Sequence, residues 1–179
     1  MVNQDNLQIS INEEIPDDIP GIREVNQAAF GRANEANLVD QLRVSSPIFI
    51  SMVAKITNRV VGHILFTPVE LVQQDVSLME GLGLAPLSVL PEVQGMGIGT
   101  ALCRAGLRRL ETDSFPFVVV LGHPGYYPRF GFEPASHYRI IPAYPDIPDE
   151  AFLIRLFKPE FLSGQSGVVH YRPEFDDVT

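Results

Sequence analysis

The sequence predicts a mixed α/β domain, a central sheet flanked by helices, and three observations carry that expectation. At 179 residues, with 45% hydrophobic and 20% charged side chains, the chain has the size and composition of one globular domain with a sizeable core. Apolar, β-branched runs with strand character alternate with segments whose apolar residues recur at helical spacing. In mid-chain a strand, a helix and a second strand follow one another, which makes a parallel pair with a crossover inside an otherwise hairpin-connected sheet.

The elements follow in order. "LQISI" (7–11) predicts a short strand. "PDDIPGIREVNQAAF" opens on acidic residues that favour a helix start, and Ile19, Ile22, Val25, Ala29 and Phe30 recur as one apolar face. A second short helix is predicted in "NEANLVDQLR", where Leu38 and Leu42 are four apart. "IFISMVAKI" and "RVVGHILFTPVELV", separated by the turn signal "TNR", read as an antiparallel hairpin. "GLGLAPLSVL" (81–90) is a further strand, a helix follows it, and "FPFVVVLG" (115–122) is the next strand. A short helix is then expected near Tyr126, and the last quarter supplies two more strands around the Pro-rich acidic loop "PAYPDIPDEA". The chain shows no repeat and no low-complexity linker, so a single domain over 1–179, with its core at about 7–172, is expected.

Charge and cysteine content exclude several function classes. A net charge of -9 argues against a general nucleic-acid binder, although a local basic patch is compatible with it. The single cysteine, Cys103, allows no internal disulfide and fits a reducing compartment. The polar opening "MVNQDNLQIS" lacks the features of a secretory signal, and no apolar run is long enough to cross a membrane, so a soluble, cytoplasmic protein is expected. His63, His123, His137 and His170 lie far apart without metal-ligand spacing, and no metal is expected.

The most informative stretch is "VLPEVQGMGIGTALC" (89–103), with Gly95, Gly97 and Gly99 at alternate positions between a strand and a helix. The first N–H groups of a helix have no intrahelical partner and, with the helix dipole, suit an anion such as a diphosphate. Glycine permits positive φ and close backbone approach. Two phosphate motifs fail here: a P-loop needs Lys and then Ser or Thr after its last glycine, and the dinucleotide fingerprint needs G-x-G-x-x-G. In the helix itself, Leu102, Cys103, Gly106, Leu107 and Leu110 share one face, so Cys103 is expected to pack against the sheet. Thr100, Arg104, Arg108 and Glu111 share the other.

"QGMGIG" fits Q/R-x-x-G-x-G/A with Gln94 first, and in this the chain resembles the GNAT acetyltransferases. "LSVLPEVQGMGIG" is similar to that family's fourth strand and phosphate loop, "YYPRFGF" (126–132) is similar to its Y-x-x-x-G-F segment, and "GHPGYYPRFGF" resembles its YhbS-like branch most. The resemblance implies the acyl-CoA N-acyltransferase fold, in which two parallel strands splay apart around acetyl-CoA as cosubstrate. It further implies that the main chain of Leu87, Ser88 and Val89 bonds the pantetheine arm. Gln94, Gly95, Met96, Gly97, Ile98, Gly99 and Thr100 would surround the diphosphate. An uncharged amine would attack the thioester, and Tyr127, four residues before Gly131, matches the family's general acid toward the sulfur.

Gly125 is expected to cap a short helix with Tyr126 at N1, Tyr127 at N2 and Pro128 at N3. The base is open: Glu80, Glu92, His63 and His123 all lie near strand ends bordering the expected cleft, and water alone can take the proton. His123 stands where many relatives carry an Asn. Asp146, Asp149 and Glu150 form an acidic loop that would attract a cationic amine. The acceptor, small molecule or protein, is not specified by the sequence. The final strands either close a monomer or present an edge for a homodimer. Two other function classes share these features. One is a non-catalytic acyl-CoA sensor that regulates a protein partner; the other is an interaction protein that binds no CoA, against which the intact glycine set argues.

Overall fold

A computed structural model describes residues 8–162 and 164–177. The strands are β1 (Ile9–Glu13), β2 (Ile50–Ile56), β3 (Arg59–Gln73), β4 (Val76–Val89), β5 (Phe117–Leu121), β6 (Glu133–Pro134), β7 (Ile140–Pro142), β8 (Phe152–Leu156) and β9 (Gly167–His170), and the helices are α1 (Ile19–Phe30), α2 (Asn34–Ser45) and α3 (Ile98–Leu110). One mixed sheet runs in the order β1-β2-β3-β4-β5-β8-β6, with β9 joined to β3 and β7. The order of helices and main strands is the one expected from sequence.

Two tight turns build the centre of the sheet. Thr57 and Asn58 both have positive φ, as do Gln74 and Asp75, the backbone that two-residue hairpins require. The second hairpin lengthens β4 to Val76, five residues before the expected start at Gly81. Residues 76–80 are exposed or half-buried and bury neither face fully, so they form a ribbon with β3 that no hydrophobic pattern announces. Further along, Ile64 faces Leu87 and Phe66 faces Leu84, which leaves a bulge at Ala85 and Pro86. Proline suits that position because it has no N–H to give to the ladder.

Beyond β4 the topology opens. Parallel β4 and β5 pair only at Leu82 with Val118 and Gly83 with Val119, after which β4 stays with β3 and β5 continues beside β8. The two strands therefore diverge from Gly83 onward. Past the N-terminal side of this opening, α3 packs back on the sheet through Leu102, Cys103, Gly106, Leu107 and Leu110, all buried, the face expected for that helix.

Three expectations change. Phe30 is 42% exposed, because it lies in the last turn of α1 before the left-handed Gly31 and points off the core; Asn26 takes a buried place on that face instead. The short helix near Tyr126 is one 3-10 turn, Tyr127–Phe130, with Tyr126 at its cap and Pro128 at N2, and left-handed Gly131 ends it. Its cap is thus one residue later than expected, and the missing Pro128 N–H again costs no intrahelical bond. Finally, the two-residue β6 and three-residue β7, too short to carry a period, add to the strands expected in the last part of the chain.

Asn26 leads into a buried polar chain. Its amide donates to the Ile22 carbonyl at 2.9 Å and lies 3.1 Å from His63 Nδ1, so His63 carries its proton on Nε2, 3.0 Å from Ser51 Oγ. Ser51 in turn donates to Glu14, which Arg43 holds at 2.8 Å. Burial, reinforced by the charge of Arg43, lowers the His63 pKa to about 3. The folded imidazole is thus neutral where an unfolded one, near 6.5, takes up a proton, and stability contributed by the neutral form is lost as pH falls from about 6.5 toward about 3. Denaturant unfolding at pH 7 and pH 4 is expected to show a drop smaller by up to about 3 kcal/mol in His63→Gln than in the parent. Equal drops would refute the assignment.

Candidate active site

The strand opening and the start of α3 enclose a cleft of about 470 Å³. Leu87, Val89, Gln94, Gly95, Gly97, Ile98, Gly99 and Thr100 line it, together with Val93, Tyr126 and Arg129. Ser88 and Met96 lie apart from the lining: the Ser88 side chain is buried on the other face of β4, and Met96 is 48% exposed. The ladder explains the alternation. The Leu90 N–H donates to the Val61 carbonyl at 2.9 Å, so by the period of two the main chain of Ser88 also faces β3, while that of Leu87 and Val89 faces the opening.

At the mouth of the cleft, Gly95 and Gly97 have φ of +79° and +82°, and a Cβ at either would meet nothing within 4 Å. Backbone conformation, and not crowding, calls for glycine at these two positions. Gly97 caps α3, and the first N–H groups after it, from Ile98 to Thr100, point outward without intrahelical partners. Gln94 steadies the approach by donating to the Val89 carbonyl at 3.0 Å. Gly99 plays a different part: a Cβ there would lie 3.0 Å from the Tyr126 hydroxyl, which hydrogen-bonds with Thr100 and Cys103. The arrangement presents a row of N–H donors and a helix N-terminus to an anion, beside the edges of β4 and β5 that no longer pair with each other.

The adjacent tyrosines diverge. Tyr126 lines the cleft with the Arg129 guanidinium 4.9 Å from its ring centre. Tyr127 is buried beneath it, edge-on to Tyr126 at 5.1 Å and to Phe132 at 5.6 Å, and it packs where Gly122 leaves room, since a Cβ there would lie 2.2 Å from its ring. Burial, and after it the neighbouring Cys103 and Tyr126, push the Tyr127 phenol above its ordinary range, so it stays protonated at neutral pH. Arg129 and Val93 are lining residues that sequence reasoning missed. The Arg between Tyr127 and Gly131 was visible, but only the turn carries it to the mouth.

The four base candidates separate. His63 is fully buried and committed to its polar chain. Glu92 pairs with Arg59 at 3.3 Å, and exposed His123 accepts the Gly125 N–H at 3.1 Å, closing the turn. Glu80 lines a second cavity, of about 600 Å³, together with Glu70 and Tyr171. The acidic loop residues Asp146, Asp149 and Glu150 are exposed and line neither cavity.

Comparison with known proteins adds an independent line. An acetyltransferase (GNAT) domain model matches residues 11–135. The chain is 44% identical over 136 residues to the uncharacterized N-acetyltransferase YjhQ of Escherichia coli K12, covering 74% of each. It is 34% identical over 167 residues to the uncharacterized N-acetyltransferase YhbS of the same strain, covering 93% of this chain and 98% of the relative. A crystal structure of E. coli YhbS in complex with CoA superposes with a TM-score of 0.87 at 33% identity, over 98% of this chain and 96% of that one. A GNAT acetyltransferase from Brucella melitensis in complex with acetyl-CoA gives a TM-score of 0.77 at 35% identity, over 96% and 100%.

Cys103 lies in the sheet-facing side of α3, and burial pushes its thiol up to about 12. A buried, protonated thiol is a poor nucleophile. Native protein is expected to react with a disulfide reagent at pH 8 at least roughly a hundredfold more slowly than protein unfolded in guanidinium; comparable rates would show an accessible thiolate.

Proposed function

This chain belongs to the GNAT acetyltransferase family and is an N-acetyltransferase, and from that premise we propose that it transfers an acetyl group from acetyl-CoA to an amine by direct attack. The observation that carries the reading is the pairing of an early strand divergence with an outward row of N–H groups at the start of α3. When bound, acetyl-CoA supplies a thioester whose carbonyl carbon takes the amine nitrogen as the C–S bond breaks.

The residues fit that cosubstrate. Backbone N–H groups from Gly95 to Thr100, with Gln94 and Met96 in the same loop, hold the diphosphate, and the open space above Gly95 and Gly97 admits it. Leu87 and Val89 offer main-chain groups to the peptide-like pantetheine arm, which lies against β4 as an added strand; Ser88, engaged with β3, positions them. Arg129, on the rim, adds positive charge toward the phosphates. Tyr127, protonated across the neutral range, gives its proton to the departing sulfur, and the proton shed by the amine leaves through water and restores the phenol. Acetyl-CoA is the only cosubstrate in this reading, no metal takes part, and the work is done in the cytoplasm by a single domain.

Calorimetric titration with acetyl-CoA and with CoA tests the site directly, with one-to-one binding expected and no heat of binding refuting it. Gly97→Glu is expected to abolish binding while the fold, followed by circular dichroism, is retained, because it places a carboxylate and an unfavourable φ where the anion lies. Unchanged affinity would remove the loop from the site.

Tyr127→Phe is expected to lower kcat by about 10² to 10⁴ with affinity for acetyl-CoA kept, measured as thiol release against amines. A rate within twofold of the parent would assign the proton to another donor.

A further inference from the structure

The outward face of α3 continues past the cleft. Thr100, Arg104 and Arg108 stand four residues apart on that helix and form one stripe along it. Thr100 lines the cleft, while Arg104 and Arg108 border a neighbouring groove of about 250 Å³. Arg129 lines both and joins them. Helical Cα–Cβ bonds tilt toward the helix N-terminus, so both arginines lean back toward the glycine loop, Arg104 from about 9 Å along the axis and Arg108 from about 15 Å, counted from Ile98.

No acid neutralises these cations. Among the described residues Arg104, Arg108 and Arg129 form no ion pair, whereas Arg109 on the same helix holds Glu13 and Asp113, and the one carboxylate in the groove, Glu111, is taken by Arg155 at 2.9 Å. Like charges four apart on a helix destabilise it, and an anion between them removes that repulsion. Arg129 is held in place: its guanidinium lies 4.9 Å from the Tyr126 ring centre and donates to the Gly125 carbonyl at 3.3 Å. Buried Leu107 and Phe130 form the floor. The groove is smaller than a drug-sized ligand needs, so it suits a charged appendage of a molecule seated in the adjoining cleft. Acetyl-CoA has one. Besides its diphosphate it carries a 3′-phosphate one ribose away, a monoester with a charge of about -1.5 to -2 at neutral pH. The dipole at the start of α3 supplies only about half a positive charge, and the diphosphate uses it. In a chain of net charge -9, the second phosphate needs side-chain cations.

Resting on the acetyl-CoA reading above, we propose that the groove bordered by Arg104, Arg108 and Arg129 is a subsite for the 3′-phosphate of the cosubstrate, and that it makes the protein select CoA over the form lacking that phosphate. The planar guanidinium forks of Arg104 and Arg129 bond the phosphate oxygens, and Arg108, one turn further along the stripe, adds charge behind them.

The test is calorimetric titration at low ionic strength with CoA and with 3′-dephospho-CoA, which differ only at that phosphate. The parent protein is expected to bind CoA at least about tenfold more tightly. In the Arg104→Gln, Arg108→Gln double variant the preference is expected to fall to within about threefold, because affinity for CoA drops by more than affinity for the dephosphorylated form. Both side chains are exposed, so the Tm is expected to hold, and the comparison of ligands in the parent needs no variant. Equal affinity of the parent for the two ligands overturns the subsite, as does a double variant that keeps the full preference. Failure of the parent to bind either ligand overturns the acetyl-CoA reading itself.

Discussion

Two residue pairs hold parallel β4 and β5 together, and everything at the site depends on there being no third. Leu82 faces Val118 and Gly83 faces Val119; then the bulge at Ala85 and Pro86 keeps β4 on β3 while β8 draws β5 away. Unpaired backbone groups inside a sheet are costly, so the opening is tolerable only where solvent or a ligand meets Leu87 and Val89. The same geometry fixes the start of α3. The Leu90 N–H, bonded to Val61, ends the strand in register, and the loop then has only a few residues in which to turn, which left-handed Gly95 and Gly97 accomplish.

Glycine spacing and the apolar face of α3 were legible because each reports a local rule: positive φ favours glycine, and a helix period marks its buried side. The fold class and the hairpin turning at "TNR" were legible for the same reason. The outer ribbon of β3 and β4 was not, because residues 76–80 bury too little to show a pattern, and β6 and β7 are shorter than any period. Phe30 and Asn26 reverse their expected places for a reason outside their own helix. His63, brought across from β3, gives the buried Asn26 amide a partner, while Phe30 sits in the last turn of α1, where the helix leaves the core.

The tyrosine motif shows the same limit at finer scale. Counting back from Gly131 singles out Tyr127 but not its direction. The 3-10 turn sends Tyr126 to the cleft wall and Tyr127 into the core, where the space above Gly122 receives its ring. In the proposed mechanism the buried phenol approaches the opening from the α3 side. The Tyr171 ring packs over Gly83, where the strands part. Nothing near Tyr171 in sequence reveals this: its placement follows from β9 joining β3 at Glu70, a pairing between distant segments.

Charge distribution completes the argument. A chain of net charge -9 repels a polyanion at long range, so binding one requires its cations to be concentrated rather than numerous. Most basic residues here are spent on neighbouring acids, as Arg23, Arg43 and Arg109 are on Asp40, Glu14 and Asp113. Arg104, Arg108 and Arg129, which form no ion pair among the described residues, border one groove on the outer side of α3, and Arg129 also lines the cleft. An anionic carrier of the kind proposed is thereby met at the cleft by cations that no neighbouring acid neutralises, which offsets locally the repulsion exerted by the chain as a whole.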